Sequence, residues 1–163
     1  MINRPYRKDD FQSYDVVQWY GAIKKELKQS EGYKGLKGEV LAMDVDGNAV
    51  RATSADAVSN RVFFQWNIVI GKDGSGWDAK ASGTVTTIAG AHEADTLLYD
   101  TAATYAIDAE LTYKEMEYDG DTSCSGIALA IAGDPVIAVV DKLPADNRQA
   151  LRIKVLDQPY VKA

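Results

Sequence analysis

The chain has 163 residues, of which 46% are hydrophobic and 26% are charged, and its formal net charge is −6. This length and composition predict one globular domain that buries a core of its own. The acidic balance disfavours a nucleic-acid-binding protein, which needs cations to contact phosphates.

Cysteine usage and hydropathy narrow the class of protein further. Cys124 is the only cysteine, which excludes an internal disulfide and a zinc site built from cysteines. No run approaches the ~20 apolar residues of a membrane span, and the start, Met1–Pro5, lacks the apolar core of a secretion signal. We therefore expect a soluble protein that is made in a cytoplasm and has no membrane partner.

The N-terminal segment differs from the rest of the chain in charge and in pattern. Residues 1–37 carry a net charge of +3, and residues 38–163 carry a net charge of −9. Residues 1–15 contain Pro5, mixed charges and no periodicity, so they predict an extended arm ahead of a single β-rich domain over 16–163. A cationic arm can dock on an acidic neighbour. Its candidate partner-interface residues are Arg4, Tyr6, Arg7, Lys8 and Phe11.

Residues 14–28 have the apolar spacing of a helix. The apolar positions that would share one helical face are Val16, Tyr20, Ile23 and Leu27. The spacing predicts a helix over 14–28. Gly21 and the β-branched pair Val16-Val17 leave an early strand over 15–20 as the alternative.

From residue 39 onward the pattern is that of short strands. The first two flank Asp46-Gly47, a dipeptide that strongly favours a tight hairpin turn. A long apolar run, Val62–Ile70, predicts a central strand buried on both faces. The other predicted strands are 39–43, 48–52, 84–88, 97–99, 109–113, 135–141 and 150–156, while the apolar stretch 126–132 is ambiguous. Such a series predicts a mainly β fold, a β-sandwich or a β-barrel, with the N-terminal arm and at most one helix.

His92 and Cys124 are the residue types that most often carry chemistry, but neither stands in a catalytic pattern. His92-Glu93 with Asp95 suggests a metal or an acid–base pair, yet there is no second histidine and the segment has the polar character of a loop. Cys124 lies in an acidic region, which disfavours the thiolate that a nucleophile requires. The sequence therefore predicts no catalytic residues, no cofactor and a protein that is not an enzyme.

Two motifs resemble ligand sites without meeting their spacing. Asp44, Asp46 and Asn48 alternate as calcium ligands do, but the glycine and the glutamate of an EF-hand loop are missing from their positions. Gly71–Gly76 is rich in glycine, but it lacks the Gly-Lys-Ser/Thr that opens a helix in a phosphate loop. Both motifs predict turns, and no metal site is expected.

Aromatic residues offer a different kind of site. Trp66 lies inside an apolar run and is predicted to be part of the core. Trp77 follows the glycine-rich turn, and its side chain is a candidate contact for a protein partner or a sugar.

The order of segments between residues 38 and 156 resembles that of the small β-rich head decoration, or cement, proteins of tailed bacteriophages. In that group Gly-x-Val-Leu, Asp-Gly and Ala-Thr segments recur, and Gly-x-Pro-Val-Ile precedes a leucine-rich last strand. The matching segments are Gly38–Thr53, Val85–Gly90, Thr96–Asp100, Tyr105–Thr112, Gly133–Val140 and Leu151–Leu156. Two departures are the helix-like stretch 14–28 and a Tyr-x-x-Gly-x-x-Leu-Thr turn, in which Asp108 or Ala109 replaces the glycine.

The resemblance implies a non-enzymatic virion protein that binds the outer capsid surface in many copies and stabilises the head. Its partners would be the major capsid protein and further copies of itself, as a homotrimer on the shell. A cationic arm and free strand edges suit such attachment. Two alternatives stay open. One is a head–tail joining or tail component, and the other, from a different class, is a carbohydrate-binding or adhesin module.

Overall fold

The computed structural model describes residues 14–28, 36–59, 61–66, 84–118, 122–145 and 150–163, and every regular element in this part of the chain is a strand. The strands are β1 (Tyr14–Trp19), β2 (Ile23–Lys28), β3 (Val40–Met43), β4 (Ala49–Arg51), β5 (Phe63–Gln65), β6 (Thr84–Ala89), β7 (His92–Thr96), β8 (Glu110–Tyr118), β9 (Thr122–Leu129), β10 (Pro135–Lys142) and β11 (Leu151–Val161). Among the described residues there is no helix of the length and hydropathy that crossing a membrane requires.

The strands form two antiparallel sheets, so the fold is a β-sandwich. The six-stranded sheet has the order β1-β7-β11-β10-β8-β9, and the five-stranded sheet has the order β2-β6-β5-β3-β4. Buried side chains from both sheets meet in one cluster, which includes Tyr14, Phe64, Ile88, Ile137 and Ile153. The predicted mainly β, single-domain fold is confirmed. Of the two predicted architectures, sandwich and barrel, the sandwich is the one observed.

The predicted helix over 14–28 is wrong, because this segment forms β1 and β2 in different sheets. Gly21 separates the two strands with φ +88°, a backbone conformation that glycine adopts without strain. The helix-like spacing of apolar residues arises because two short strands follow each other across this corner. The alternative prediction of an early strand over 15–20 is confirmed. β1 already begins at Tyr14, which is fully buried, so the arm predicted over 1–15 overlaps the strand by two residues.

The Asp46-Gly47 hairpin forms as predicted between β3 and β4. The Asp44 carboxylate accepts hydrogen bonds from the backbone N–H groups of Asp46, at 3.0 Å, and Asn48, at 2.8 Å. The alternating Asp44, Asp46 and Asn48 are therefore explained by the turn, in which Asp44 satisfies two backbone donors.

The long apolar run Val62–Ile70 contains β5, which lies in the middle of the five-stranded sheet. Phe63, Phe64 and Gln65 are all buried, so both faces of this strand are covered. The prediction of a central two-sided strand is confirmed for β5, and residues 67–70 lie outside the described residues.

The polar segment His92–Thr96 forms a strand, β7, that the sequence pattern does not predict. Its burial alternates: His92, Ala94 and Thr96 are buried, whereas Glu93 and Asp95 are half-buried. Arg152 on the neighbouring β11 donates from Nε to Asp95 at 2.9 Å. A strand with weakly apolar inner residues is stable here because pairing with β1 and β11 satisfies its backbone on both sides.

The predicted strand over 97–99 is reduced to a single bridge between Tyr99 and Ile127 of β9. The Ile127 N–H donates to the Leu98 carbonyl at 2.8 Å, and the Asp100 N–H donates to the Ile127 carbonyl at 2.9 Å. This segment therefore covers part of the outer edge of β9. The ambiguous stretch 126–132 contributes its first residues to β9, which ends at Leu129.

Candidate interaction surface

The predicted partner-interface residues all lie outside the described part of the chain. They are Arg4, Tyr6, Arg7, Lys8, Phe11 and Trp77. The described residues that continue directly from the predicted arm are those of β1, and they form an exposed surface of their own.

This surface is the corner at which the chain passes from one sheet to the other. Val17, Trp19, Tyr20 and Ile23 are exposed by 42%, 39%, 49% and 59%. Exposed large apolar side chains that follow one another along the chain mark interaction sites more often than isolated ones do. We call this surface the β1–β2 corner. It consists of the exposed apolar residues Val17, Trp19, Tyr20 and Ile23, the β2 lysines Lys24, Lys25 and Lys28, and the adjoining Trp66 and Lys37.

Lysine ammonium groups lie over the aromatic rings of the corner. The Nζ of Lys24 is 4.3 Å from the ring centroid of Trp66, and the Nζ of Lys37 is 5.3 Å from the same centroid. The rings of Trp19 and Trp66 are 5.9 Å apart, and Trp66 belongs to the partly buried residues at the rim of the core. Each exposed cation–π contact contributes about 0.5–1 kcal/mol. The corner therefore presents apolar surface and lysine charge side by side, and a carboxylate lies at it, that of Glu93, which accepts from the Tyr20 hydroxyl at 2.8 Å. Trp66 was predicted to be part of the core, and it lies at the rim of the core.

The strand edges at the corner are poorly suited to accepting an added strand. The register of β1 against β7 shifts between Val16 and Gln18, which marks a β-bulge. β2 carries Lys24, Lys25 and Lys28. Bulges and lysines are common protections of strand edges against pairing with other chains. Attachment at this corner is therefore expected to use side chains, in contrast to the strand pairing that the resemblance suggested.

His92 is buried and packs against residues of the corner. Its Nδ1 is 2.8 Å from the Gly90 carbonyl, which can only accept, so Nδ1 carries the hydrogen. Its Nε2 then accepts from the Tyr14 hydroxyl at 2.5 Å. The ring also lies 6.5 Å from that of Trp19 and packs edge-on against Phe64. Burial lowers the pKa of His92, so this histidine is a neutral structural residue in the corner.

We expect the contribution of His92 to the stability of the protein to fall as the pH drops below 6.5, the ordinary pKa of histidine. Below that value His92 becomes protonated in the unfolded chain but stays neutral in the folded protein. The loss of stability continues until the pH reaches the lowered pKa of His92 in the folded state. The single histidine gives one unambiguous NMR signal, which should titrate below pH 6.5.

The control for this prediction is His92→Gln. Burial raises the pKa of Glu39, so its contribution to stability falls as the pH rises above its ordinary pKa of 4.5. This dependence has the opposite sign to that of His92. The contribution of His92 is therefore the difference between the wild type and His92→Gln in denaturant unfolding between pH 4 and 8. A His92 signal that titrates at or above pH 6.5 contradicts the burial argument.

Cys124 and Glu39 lie together in the interior, away from the corner. The Cys124 thiol is fully buried beside Leu36, Leu98 and Met116, and burial raises the pKa of the thiol. The Glu39 carboxylate, also fully buried, accepts from Arg51 Nε at 2.8 Å. A protonated thiol without solvent access does not supply a nucleophile, and Glu39 is held by structural hydrogen bonds.

A surface recess lies beside β8. It has a volume of about 220 Å³ and is lined by Asp100, Lys114, Glu115, Met116 and Glu117. Among the described residues, no group of three or more His, Cys, Asp or Glu side chains is arranged to hold a metal ion.

The sequence pattern does not identify Tyr20 and Ile23 as exposed, because a helix over 14–28 would bury both. The sequence feature that could have identified them is Gly21, which lies between two segments rich in β-branched and charged residues and predicts a break between two strands. No local signal predicts the cation–aromatic contacts. Lys24 reaches Trp66 through the pairing of β2 with β6 and of β6 with β5, and Lys37, which precedes β3, reaches it through the pairing of β3 with β5.

No protein-family model, no curated protein and no solved structure matches this chain.

Proposed function

We propose that this protein is a non-enzymatic virion component that binds the outer surface of a bacteriophage capsid and stabilises the head. The observation that carries the proposal is the β1–β2 corner, an exposed apolar and cationic surface on the strand that continues directly from the predicted arm. A capsid-binding protein needs a rigid body and an adhesive face, and it has no use for a substrate pocket.

The segments on which the resemblance rests support the proposal by their place in the fold. Gly38–Thr53 contains the β3–β4 hairpin, Gly133–Val140 leads into β10, and Leu151–Leu156 begins β11. These segments are strands and hairpins, which suits the architectural role that we propose.

The departure from the resemblance at Asp108 also has a structural explanation. Asp108 has φ +64° and is the one residue other than glycine with positive φ in the described part of the chain. Aspartate is among the few residues that tolerate this left-handed conformation. Of the two residues that could replace the glycine of the group, Asp108 and Ala109, Asp108 therefore has the backbone geometry that favours glycine.

The proposal is tested by counting the protein in particles purified from its source, using quantitative mass spectrometry against the major capsid protein. Several hundred copies support decoration of the shell. About six or twelve copies, as expected for a ring at one vertex, favour a head–tail joining or tail component instead. Absence from the particles overturns both assignments.

A variant lacking residues 1–12 separates the arm from the folded domain in the same assay. Because β1 begins at Tyr14, the deletion leaves all described strands intact. We expect an unchanged melting temperature and weaker binding to undecorated particles. Unchanged binding would refute a role for the arm.

A carbohydrate-binding module is the alternative from another class, since Trp19 and Tyr20 are exposed aromatic residues. Sugar platforms need a free aromatic face, whereas two ammonium groups already lie over Trp66. Binding on a glycan array that is lost in Trp19→Ala would favour the adhesin assignment over the capsid assignment.

A further inference from the structure

We propose that the β1–β2 corner of one copy docks against the β8 recess of a second copy, so that neighbouring molecules associate head to tail. The inference rests on the proposed function, which places copies side by side on one shell. The two faces belong to the same chain and are complementary in charge. Each copy can therefore bind a second copy wherever the protein is concentrated.

The corner brings cations that have no carboxylate partner of their own. Within the part of the chain that the structure describes, no carboxylate lies within ion-pair distance of Lys24, Lys25 or Lys28. Glu26 is the only acid on β2. Exposed Ile23 adds an apolar contact beside these lysines. An interface of this kind gains specificity from charge and contact area from the apolar side chains.

The β8 recess brings the opposite charge, because its lining holds three acids, Asp100, Glu115 and Glu117, against one lysine, Lys114. Glu115 and Glu117 are exposed, and within the described ranges neither forms an ion pair. The recess of about 220 Å³ gives an incoming side chain a concave surface instead of a flat one.

The positions of the two faces favour a repeating contact. Among the described strands, β1 and β9 lie at opposite edges of the six-stranded sheet, and β8 is next to β9. Six strands place these edges about 24 Å apart, at ~4.8 Å per strand spacing. A contact between different faces of identical molecules is heterologous, and it continues from copy to copy until a ring closes or a chain grows.

The contact is expected to be made by side chains. The bulge and the lysines protect the edges of β1 and β2, and Leu98–Asp100 covers part of the edge of β9. Charge complementarity then controls association, which should weaken as salt screens the exposed charges.

The test is sedimentation equilibrium of the purified protein at low and high salt, up to about 1 mM protein, where contacts worth only ~4 kcal/mol are visible. We expect reversible association that weakens with salt. Lys28→Glu and Glu117→Lys should each weaken it about tenfold or more. The double variant carrying both substitutions should recover most of the association, since it restores opposite charges across the contact.

The matched control is Lys142→Glu, which changes an exposed lysine on β10 and alters the net charge by the same amount as Lys28→Glu. It should leave association unchanged. Lys28 and Glu117 were chosen because neither makes an ion pair within the described residues, so both variants should fold, which a melting curve checks.

Three results would overturn the inference. They are a monomer at all concentrations, a Lys142→Glu variant as impaired as Lys28→Glu, and a double variant no better than the single ones. Particle binding is measured separately, so its loss bears on the proposed function alone. If Lys28→Glu lowers particle binding while the wild type stays monomeric, the corner binds another acidic protein and the contact between copies is ruled out.

Discussion

Replacing Glu39 with alanine is expected to lower the free energy of unfolding by about 3–5 kcal/mol. The Glu39 side chain is fully buried and ties the two sheets together. Its carboxylate accepts from the Leu36 N–H at 2.7 Å and, across the sandwich, from the Ser125 N–H of β9 at 2.9 Å. Alanine removes the acceptor for both donors and leaves Arg51 without this carboxylate, and buried donors without an acceptor are costly.

The effect of Glu39→Ala is measured by urea unfolding at pH 7, with Glu117→Ala as the matched control. Glu117 is exposed, so its removal should change stability by no more than about 0.5 kcal/mol. Glu39→Gln should fall between the two, because an amide keeps one acceptor but loses the charge. Equal stabilities of Glu39→Ala and Glu117→Ala would show that the carboxylate does not hold the sheets together.

Gly38→Ala is expected to cost about 2–5 kcal/mol, from two sources that can be separated. Gly38 has φ +93°, and an alanine in a left-handed conformation costs about 1–2 kcal/mol. In addition, a Cβ at this position would lie 2.8 Å from both Cβ and Cδ2 of Tyr14. Tyr14 is fully buried and stacked on Phe64, so it has little room to move, and overpacking of this kind costs about 1–3 kcal/mol.

Gly133→Ala isolates the backbone contribution. Gly133 has the same φ of +93°, but a Cβ there would meet no atom within 4 Å. The difference between the two variants in urea unfolding therefore measures the collision with Tyr14, and we expect Gly38→Ala to be the more destabilised by about 1–3 kcal/mol. Identical losses in both variants would mean that the core around Tyr14 adapts freely.

Local signals in the sequence predict the parts of the fold that depend on local geometry. Asp46-Gly47 specifies its hairpin because the turn residues themselves accept the required backbone conformation. The run around β5 predicts a two-sided strand because its residues are apolar on both faces. Neither inference needs to know which strands are neighbours.

The parts that the sequence does not predict depend on distant partners. His92–Thr96 looks like a loop until β1 and β11 pair with it on either side. The apolar residues of segment 14–28 have the spacing of a helix. The segment forms strands instead because its first half pairs with β7 and its second half with β6. The candidate surface follows the same rule, since its lysines and tryptophans come together only after the sheets have formed.

The place of β11 in the six-stranded sheet has a consequence for synthesis. Although β11 is the last of the described strands, it lies between β7 and β10 in the sheet. The sheet therefore cannot close until residues 151–161 have left the ribosome, and β1 must wait for β7, more than seventy residues later, to find its partner. Such long-range pairing is slow, so we expect the six-stranded sheet to form only after β11 has emerged. A truncation within β11 would then remove the centre of the sheet, and not merely its last strand.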